Sequence, residues 1–208
     1  MVGKILTVGT ALTLTVVGLA ATAQDTKPAA STAPAAAGSA TVFGVDDVHS
    51  TALFRVMHAG AGQFWGRFND ISGTFTLSDD PAKLAFMIDV AIDSVDSGND
   101  KLDGHLKSPD FFNSKEFPKM SFKSTGAKKA GNGMFEVMGD LTMHGVTKPI
   151  TAMVEITGQS SMMGQRGGAE ATFTVKRSEF GMTYGVEKGV IGDMVKVVVG
   201  LEGIVPTK

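Results

Sequence analysis

The sequence predicts an all-β fold, an antiparallel β-barrel of about eight strands with one short helical insertion. Three observations carry this. Apolar residues recur at every second position in run after run, the period of a strand that buries one face. Short glycine-bearing connections separate the runs, and 26 of the 208 residues are glycine, which suits tight turns between sequential antiparallel neighbours. Strands that each bury a single face must close on that face, and closure also removes the unpaired edges.

The chain opens with an address and a spacer. Met1 to Lys4 is a short basic head, Ile5 to Ala20 carries no charge, and Ala21-Thr22-Ala23 is a small-x-small site ahead of Gln24. Residues 1–23 therefore read as a secretory signal peptide. The apolar run is shorter than the roughly 20 residues that span a bilayer, so no stable membrane span is expected after cleavage. Residues 24–40, rich in Ala, Pro, Ser and Thr, hold no large apolar side chain and read as a flexible linker. The folded domain is placed at 41–206. Export without any cysteine suits a bacterial periplasm, and a periplasmic location is expected.

Within the domain the elements follow in order. Ala52, Phe54 and Val56 share one face of the first strand, and Phe64 to Leu77 reads as strand with Gly66 and Gly73 as bends or bulges. Leu84-Phe86-Ile88-Val90-Ile92 is an unbroken apolar row. Asp100 to Asn113 breaks the alternation: Leu102 and Leu106 stand four apart behind Asp100 and Asp103, which predicts a short helix stopped near Ser108-Pro109. Met120-Phe122-Ser124 resumes the strands. Gly131-Asn132-Gly133 predicts a hairpin into the row Phe135-Val137-Gly139-Leu141-Met143. Residues 144–149 turn into Ile150-Ala152-Val154-Ile156, and a loop over 160–168 leads to Ala169-Ala171-Phe173-Val175. Ser178 to Asp193 is long, with four glycines, as a covering or mobile loop would be. Val195-Val197-Val199-Leu201 closes the set.

Several function classes are excluded or weakly supported. A net charge of −2 offers no basic field for nucleic acid. The chain lacks the nucleophile elbow, the phosphate loop, the dinucleotide fingerprint and the His-Glu-x-x-His pair. No catalytic residue is assigned. Of the four histidines, His49 and His58 are nearest, and on one strand an odd spacing sets them on opposite faces, so no metal site is assigned. The 12 methionines mostly stand singly on strands as core fillers, with Met162-Met163 in a loop. Asp46-Asp47 and Asp79-Asp80 read as turn residues.

Apolar rows without a catalytic set point to binding. Phenylalanine supplies 13 of the 15 aromatic residues. A barrel of eight strands is wide enough either to fill with side chains or to hold one small guest, and Ala52, Gly139, Ala152, Ala169 and Ala171 on the inward faces argue for leftover room. The expected lumen lining is Phe54, Val56, Phe68, Phe75, Phe86, Ile88, Val90, Phe122, Phe135, Leu141 and Phe173, which suits an apolar guest.

A set of motifs then resembles the YceI-like family. The run His49-Ser50-Thr51-Ala52-Leu53-Phe54-Arg55-Val56-Met57-His58 resembles its opening strand. Gly66-Arg67-Phe68 with Gly73, the block Asp103 to Phe112, Phe117-Pro118 and Phe122-Lys123-Ser124 continue the pattern. Gly139 to Lys148, Arg177-Ser178-Glu179-Phe180-Gly181 and Ile191-Gly192-Asp193 complete it, in order across residues 44–204. Leu53, Arg55 and Met57 depart from it, on a face where smaller or more polar residues are expected. The resemblance implies a lipocalin-like barrel of periplasmic, polyisoprenoid- or lipid-binding type, with a polyisoprenoid, isoprenoid quinone or fatty amide in the lumen and no other cofactor. Structural roles are expected for the polar signature residues. His49-Ser50 and His105 would fix the helix to the barrel wall by hydrogen bonds, Gly145 and Thr147 would shape a tight turn, and Arg177 and Asp193 would pair across the long loop. A metal- or haem-binding barrel and a periplasmic enzyme are the alternatives, and a homodimer is left open.

Overall fold

The structure, a computed structural model, describes residues 40–206. The expected signal peptide and nearly all of the expected linker lie outside the described residues. The strands are β1 (Thr41–Val45), β2 (Thr51–His58), β3 (Gly62–Phe68), β4 (Ile71–Leu77), β5 (Ala85–Ala91) and β6 (Val95–Asp96), then β7 (Lys119–Gly131), β8 (Met134–Met143), β9 (Val146–Ser160), β10 (Arg166–Lys176) and β11 (Ile191–Ile204). One α-helix, α1 (Asp100–Leu106), precedes β7.

Pairing reduces these pieces to eight staves. β1 pairs with β4 and β11, whereas β2 pairs with β3 and with the other half of β11. β4 pairs with β5, and β3 with β6. So β1/β2, β3/β4 and β5/β6 are three long strands, each interrupted partway: by a 3-10 turn at Asp47–His49, by Asn69-Asp70, and by a 3-10 turn at Ile92–Ser94. β7 to β11 continue the meander, and β11 closes it on β1. The antiparallel barrel is therefore closed, as the alternation implies. At one end β6 pairs only with β3, and α1 sits in the connection from β6 to β7. Among the described residues no helix is long and apolar enough to cross a membrane.

The turns follow their residues. Asn132-Gly133 and His144-Gly145 are two-residue hairpin loops with both φ values positive (51° and 76°; 51° and 73°), the geometry whose twist matches the flanking strands. The second turn is shorter than its sequence suggests, because Thr147, Lys148 and Pro149 already belong to β9. Pro149 is tolerated there because this part of β9 pairs with β8 alone.

Two glycines have a different role from the one read off the sequence. Neither Gly66 nor Gly73 is a bulge: the register runs through both, and the interruption falls at Asn69-Asp70. A Cβ on Gly66 would come within 2.3 Å of the Phe54 ring, and one on Gly73 within 2.0 Å of the Met87 carbonyl oxygen. Both are places of close approach.

One end of the barrel is packed solid. Phe43, Phe75 and Phe86 stack with centroids 5.5 and 6.2 Å apart. Gly167 and Gly203 stand opposite each other on β10 and β11, and a Cβ on either would meet the Phe43 or Phe75 ring at 2.6–2.7 Å. Paired glycines thus make the hollow that these rings fill. At the other end a smaller cluster of Leu141, Met143, Val175, Phe180 and Met182 forms under the long loop.

Candidate functional site

A cavity of about 160 Å³ lies inside the barrel. Of the expected lining, Phe54, Val56, Phe68, Phe86, Ile88, Val90, Phe122, Leu141 and Phe173 face it. Phe75 and Phe135 do not. Phe75 is held in the stack at the packed end, and Phe135 is buried in the core without lining the cavity. The reason is geometric: alternation tells which face a residue takes, not how far along the barrel axis it stands. Ala52, Ala152 and Ala171 leave room as expected. Ala169 does not line the cavity, and the space beside Gly139 is taken by the Phe122 ring, 2.4 Å from where a Cβ would be.

The lining also includes residues outside the expected set. Val195, Val197 and Val199 belong to an apolar row plain in the sequence. Leu106, Phe111 and Phe112 come from α1 and the segment after it, and Met182 and Ile191 from the long loop and its end. The lining is apolar apart from Ser121 and Arg177.

Arg177 continues the inward row of β10, two residues beyond Val175, and is 4% exposed. Its Nε donates to the Gly192 carbonyl (2.8 Å), Nη1 to that of Met182 (2.9 Å), and Nη2 to those of Tyr184 (2.8 Å) and Ile191 (2.9 Å). One guanidinium therefore holds both limbs of the loop that covers this end of the barrel. Burial lowers its pKa and the nearby charge of Asp193 opposes that, yet a guanidinium stays charged at any physiological pH. The expected Arg177–Asp193 pairing is not a direct one. The Asp193 carboxylate instead accepts from Ser178 N–H (2.9 Å) and Oγ–H (2.8 Å), fixing the 3-10 turn Arg177–Phe180 that starts the loop.

Two further contacts seat the loop. The His144 ring, at the β8–β9 turn, is 3.0 Å through Nδ1 from the Phe180 carbonyl, so Nδ1 carries the proton and donates; its buried Nε2 has no partner among the described residues. On the other side the rings of His105, Phe111 and Tyr184 meet at centroid distances of 4.9 to 5.3 Å, joining α1, the segment behind it and the loop. His105 bonds to Asp110 in its own connection (2.9 Å), so it holds the barrel by ring packing rather than by the expected hydrogen bond. His49 bonds to Asp46 in its own turn, and Ser50 exchanges hydrogen bonds with the backbone of Glu202 on β11; neither touches the helix.

Asp46, His49 and Glu202 come close enough together to ligate a cation, a grouping that spacing in the sequence does not reveal. His49 lies in a 3-10 turn rather than on a strand. The Arg166 guanidinium bonds to both carboxylates and already supplies the positive charge. His49 and Arg166 hold the Asp46 carboxyl below the usual range. A metal would have to displace Arg166.

Asp193 gives the loop a pH dependence. Burial works to raise its pKa, but the Ser178 hydrogen bonds with the charges of Lys176 and Arg177 outweigh that and leave it lowered. A carboxylate so held adds stability above its ordinary value, and that stability is lost as pH falls through the lowered one. The protection of the amides over residues 178–190, their exchange divided by the intrinsic rate at each pH, is expected to weaken below about pH 4. In Asp193→Asn the same amides should be weakly protected already at neutral pH, with a protection that changes little on acidification. Parallel behaviour of the two proteins would remove Asp193 as the cause.

A family profile described as YceI-like domain matches residues 43–203. A UPF0312 protein of Yersinia pestis is 36% identical over 159 residues, covering 75% of this chain and 81% of that protein. Protein YceI of Escherichia coli is 34% identical over 159 residues, covering 75% and 82%. Among solved structures, BcnA of Burkholderia cenocepacia superposes with TM-score 0.70 at 21% identity, covering 76% of this chain and 99% of that one. A polyisoprenoid-binding domain from Saccharophagus degradans does so with TM-score 0.61 at 16% identity, covering 79% and 98%. These two likenesses are of fold.

Proposed function

We propose that this chain, which belongs to the YceI-like family, is a non-catalytic periplasmic carrier that holds a long apolar lipid in its barrel. The guest class is a polyisoprenoid, or a related isoprenoid quinone or fatty amide. The observation that carries this is the lining: aliphatic and aromatic side chains, with Ser121 and Arg177 as the polar exceptions and, among the described residues, no Asp, Glu, His or Lys facing the cavity. Arg177 is occupied by backbone carbonyls, so it acts as a strut for the loop. A polyisoprenoid is also the guest named for the Saccharophagus domain of the same fold.

Magnitudes support a cavity meant to be filled. At about 24 cal/mol per Å³, a void of 160 Å³ in an apolar interior costs about 4 kcal/mol. Apolar contact with a guest offsets that. The volume is close to that of an apolar cavity that takes a benzene ring, about 150 Å³, which is the scale of one isoprene unit. A longer chain therefore enters only if the barrel interior widens, and the loop tied down by Arg177 is the segment placed to move.

The test is an organic extract of protein purified from the periplasm of its host, read by mass spectrometry. A stoichiometric isoprenoid or other long-chain lipid is expected. Protein that carries none, and that takes up none after stripping and incubation with a polyprenol, would reject the reading.

A further inference from the structure

The outer face above the cavity has a chemistry that the carrier role does not use. Strand register sets Thr174, Lys196, Arg55 and Trp65 side by side in one row across β10, β11, β2 and β3. Lys196 and Arg55 are thus like charges directly opposite each other, an arrangement that destabilises a sheet. The next row adds Lys176 opposite Met194, and Met57 extends the face on β2. Among the described residues, Lys176, Lys196 and Arg55 form no ion pair with a carboxylate. The apolar members are well exposed: Met57 36%, Trp65 46% and Met194 55%. The Arg55 guanidinium lies over the Trp65 ring, 5.6 Å from its centroid. This cationic, partly apolar patch sits on a chain whose net charge is −2.

We infer that this face docks on an anionic lipid bilayer. Lys196 and Arg55, without an ion pair to any carboxylate among the described residues and set beside an indole and two thioethers, match that surface on both counts: the cations meet the phosphates, and the indole takes the interfacial level where tryptophan concentrates. Repulsion between Lys196 and Arg55 is then relieved by the partner. The face lies at the covered end of the cavity. Val56, between Arg55 and Met57, lines the cavity, and Ala59 N–H donates to the Val190 carbonyl (2.7 Å), tying the loop's end to the β2–β3 turn. Docking would bring the loop to the lipid surface; that last step rests on the carrier reading, while the docking itself does not.

The test uses vesicles of equal parts phosphatidylcholine and phosphatidylglycerol against phosphatidylcholine alone. The protein is expected to cosediment with the mixed vesicles in low salt and to be released by high salt. The emission of Trp65, the single tryptophan, should shift to the blue on binding. Lys196→Glu turns the like-charge pair into an Arg55–Glu pair, so the fold is kept, and vesicle affinity should fall at least about tenfold. Lys129→Glu, on β7 across the barrel, makes the same change in net charge and should bind like the parent. Equal binding to both vesicle types, no binding, or equal loss in the two variants would overturn the inference. So would a Trp65 buried by self-association in the absence of lipid. Protein that carries an extractable lipid yet ignores vesicles would sink the docking and leave the carrier; vesicle binding by protein that never holds lipid would do the reverse.

Discussion

Arg177→Leu is expected to cost the fold about 3 kcal/mol and to free the loop over the cavity. The guanidinium is buried and donates to four carbonyls on the two limbs of that loop. Leucine fills similar space and removes every donor. Each carbonyl left buried and unpaired would cost about 1–3 kcal/mol, a sum the loop avoids by lifting and exposing them to water. The loss is therefore set by what the loop gives up on leaving, chiefly the packing of Phe180 and Met182, which are 1% and 4% exposed. Arg177→Lys is not a mild control, because one ammonium with three donors cannot span four acceptors held in a planar fork. Urea denaturation reads the stability, and amide exchange at residues 182–192 reads the loop. Guest exchange should be at least about tenfold faster in Arg177→Leu, the ratio that 1.4 kcal/mol provides. Loop amides as protected as in the parent would show that the guanidinium does not hold the loop.

The parts of this architecture that local pattern dictates could be read in advance, and the parts that closure dictates could not. Each inward row from Leu84–Ile92 to Val195–Leu201 is a property of one strand, so alternation reveals it. The hairpin at Asn132-Gly133 is equally local. The breaks in the first three staves are different. They arise where a closing sheet must bend, and at Asp47–His49 or Ile92–Ser94 no proline or glycine marks the place. β1 and the two-residue β6 are not legible in the sequence on the same ground, since pairing defines them and their few residues do not. Gly66 reads as a bend and Gly139 as leftover room, but these two, with Gly167 and Gly203, make room for phenylalanine rings supplied from other strands. Arg177 is legible as a signature residue flanking the long loop, and its even spacing from Ala169, Ala171, Phe173 and Val175 is the signal that could have set it on the inward row. Its partners are backbone carbonyls rather than the expected Asp193. Arg166, Asp46 and Glu202 meet only because β1, β10 and β11 come together where the barrel closes.

Val56→Trp is expected to abolish guest binding while leaving the lipid-free protein nearly as stable as the parent. Val56 faces the cavity beside Val195 of β11 and Phe64 of β3. An indole there has about 160 Å³ of apolar space to enter, of the order known to take a benzene ring. Filling it should change stability by less than about 1.5 kcal/mol, whereas overpacking a solid core costs about 1–3 kcal/mol or more. Ile71→Trp supplies the contrast. Ile71 is fully buried and does not line the cavity, so the added ring has nowhere to go and a large loss of stability is expected. Both variants and the parent must be stripped of lipid before melting, because a bound guest raises apparent stability through mass action. With stripped samples, a small melting change in Val56→Trp together with retention of extractable lipid reduced at least tenfold, about 1.4 kcal/mol of affinity, places the guest in this cavity. A loss as large as that of Ile71→Trp would mean that the interior near Val56 is core. Undiminished lipid retention in a stable Val56→Trp protein would put the guest elsewhere on the molecule.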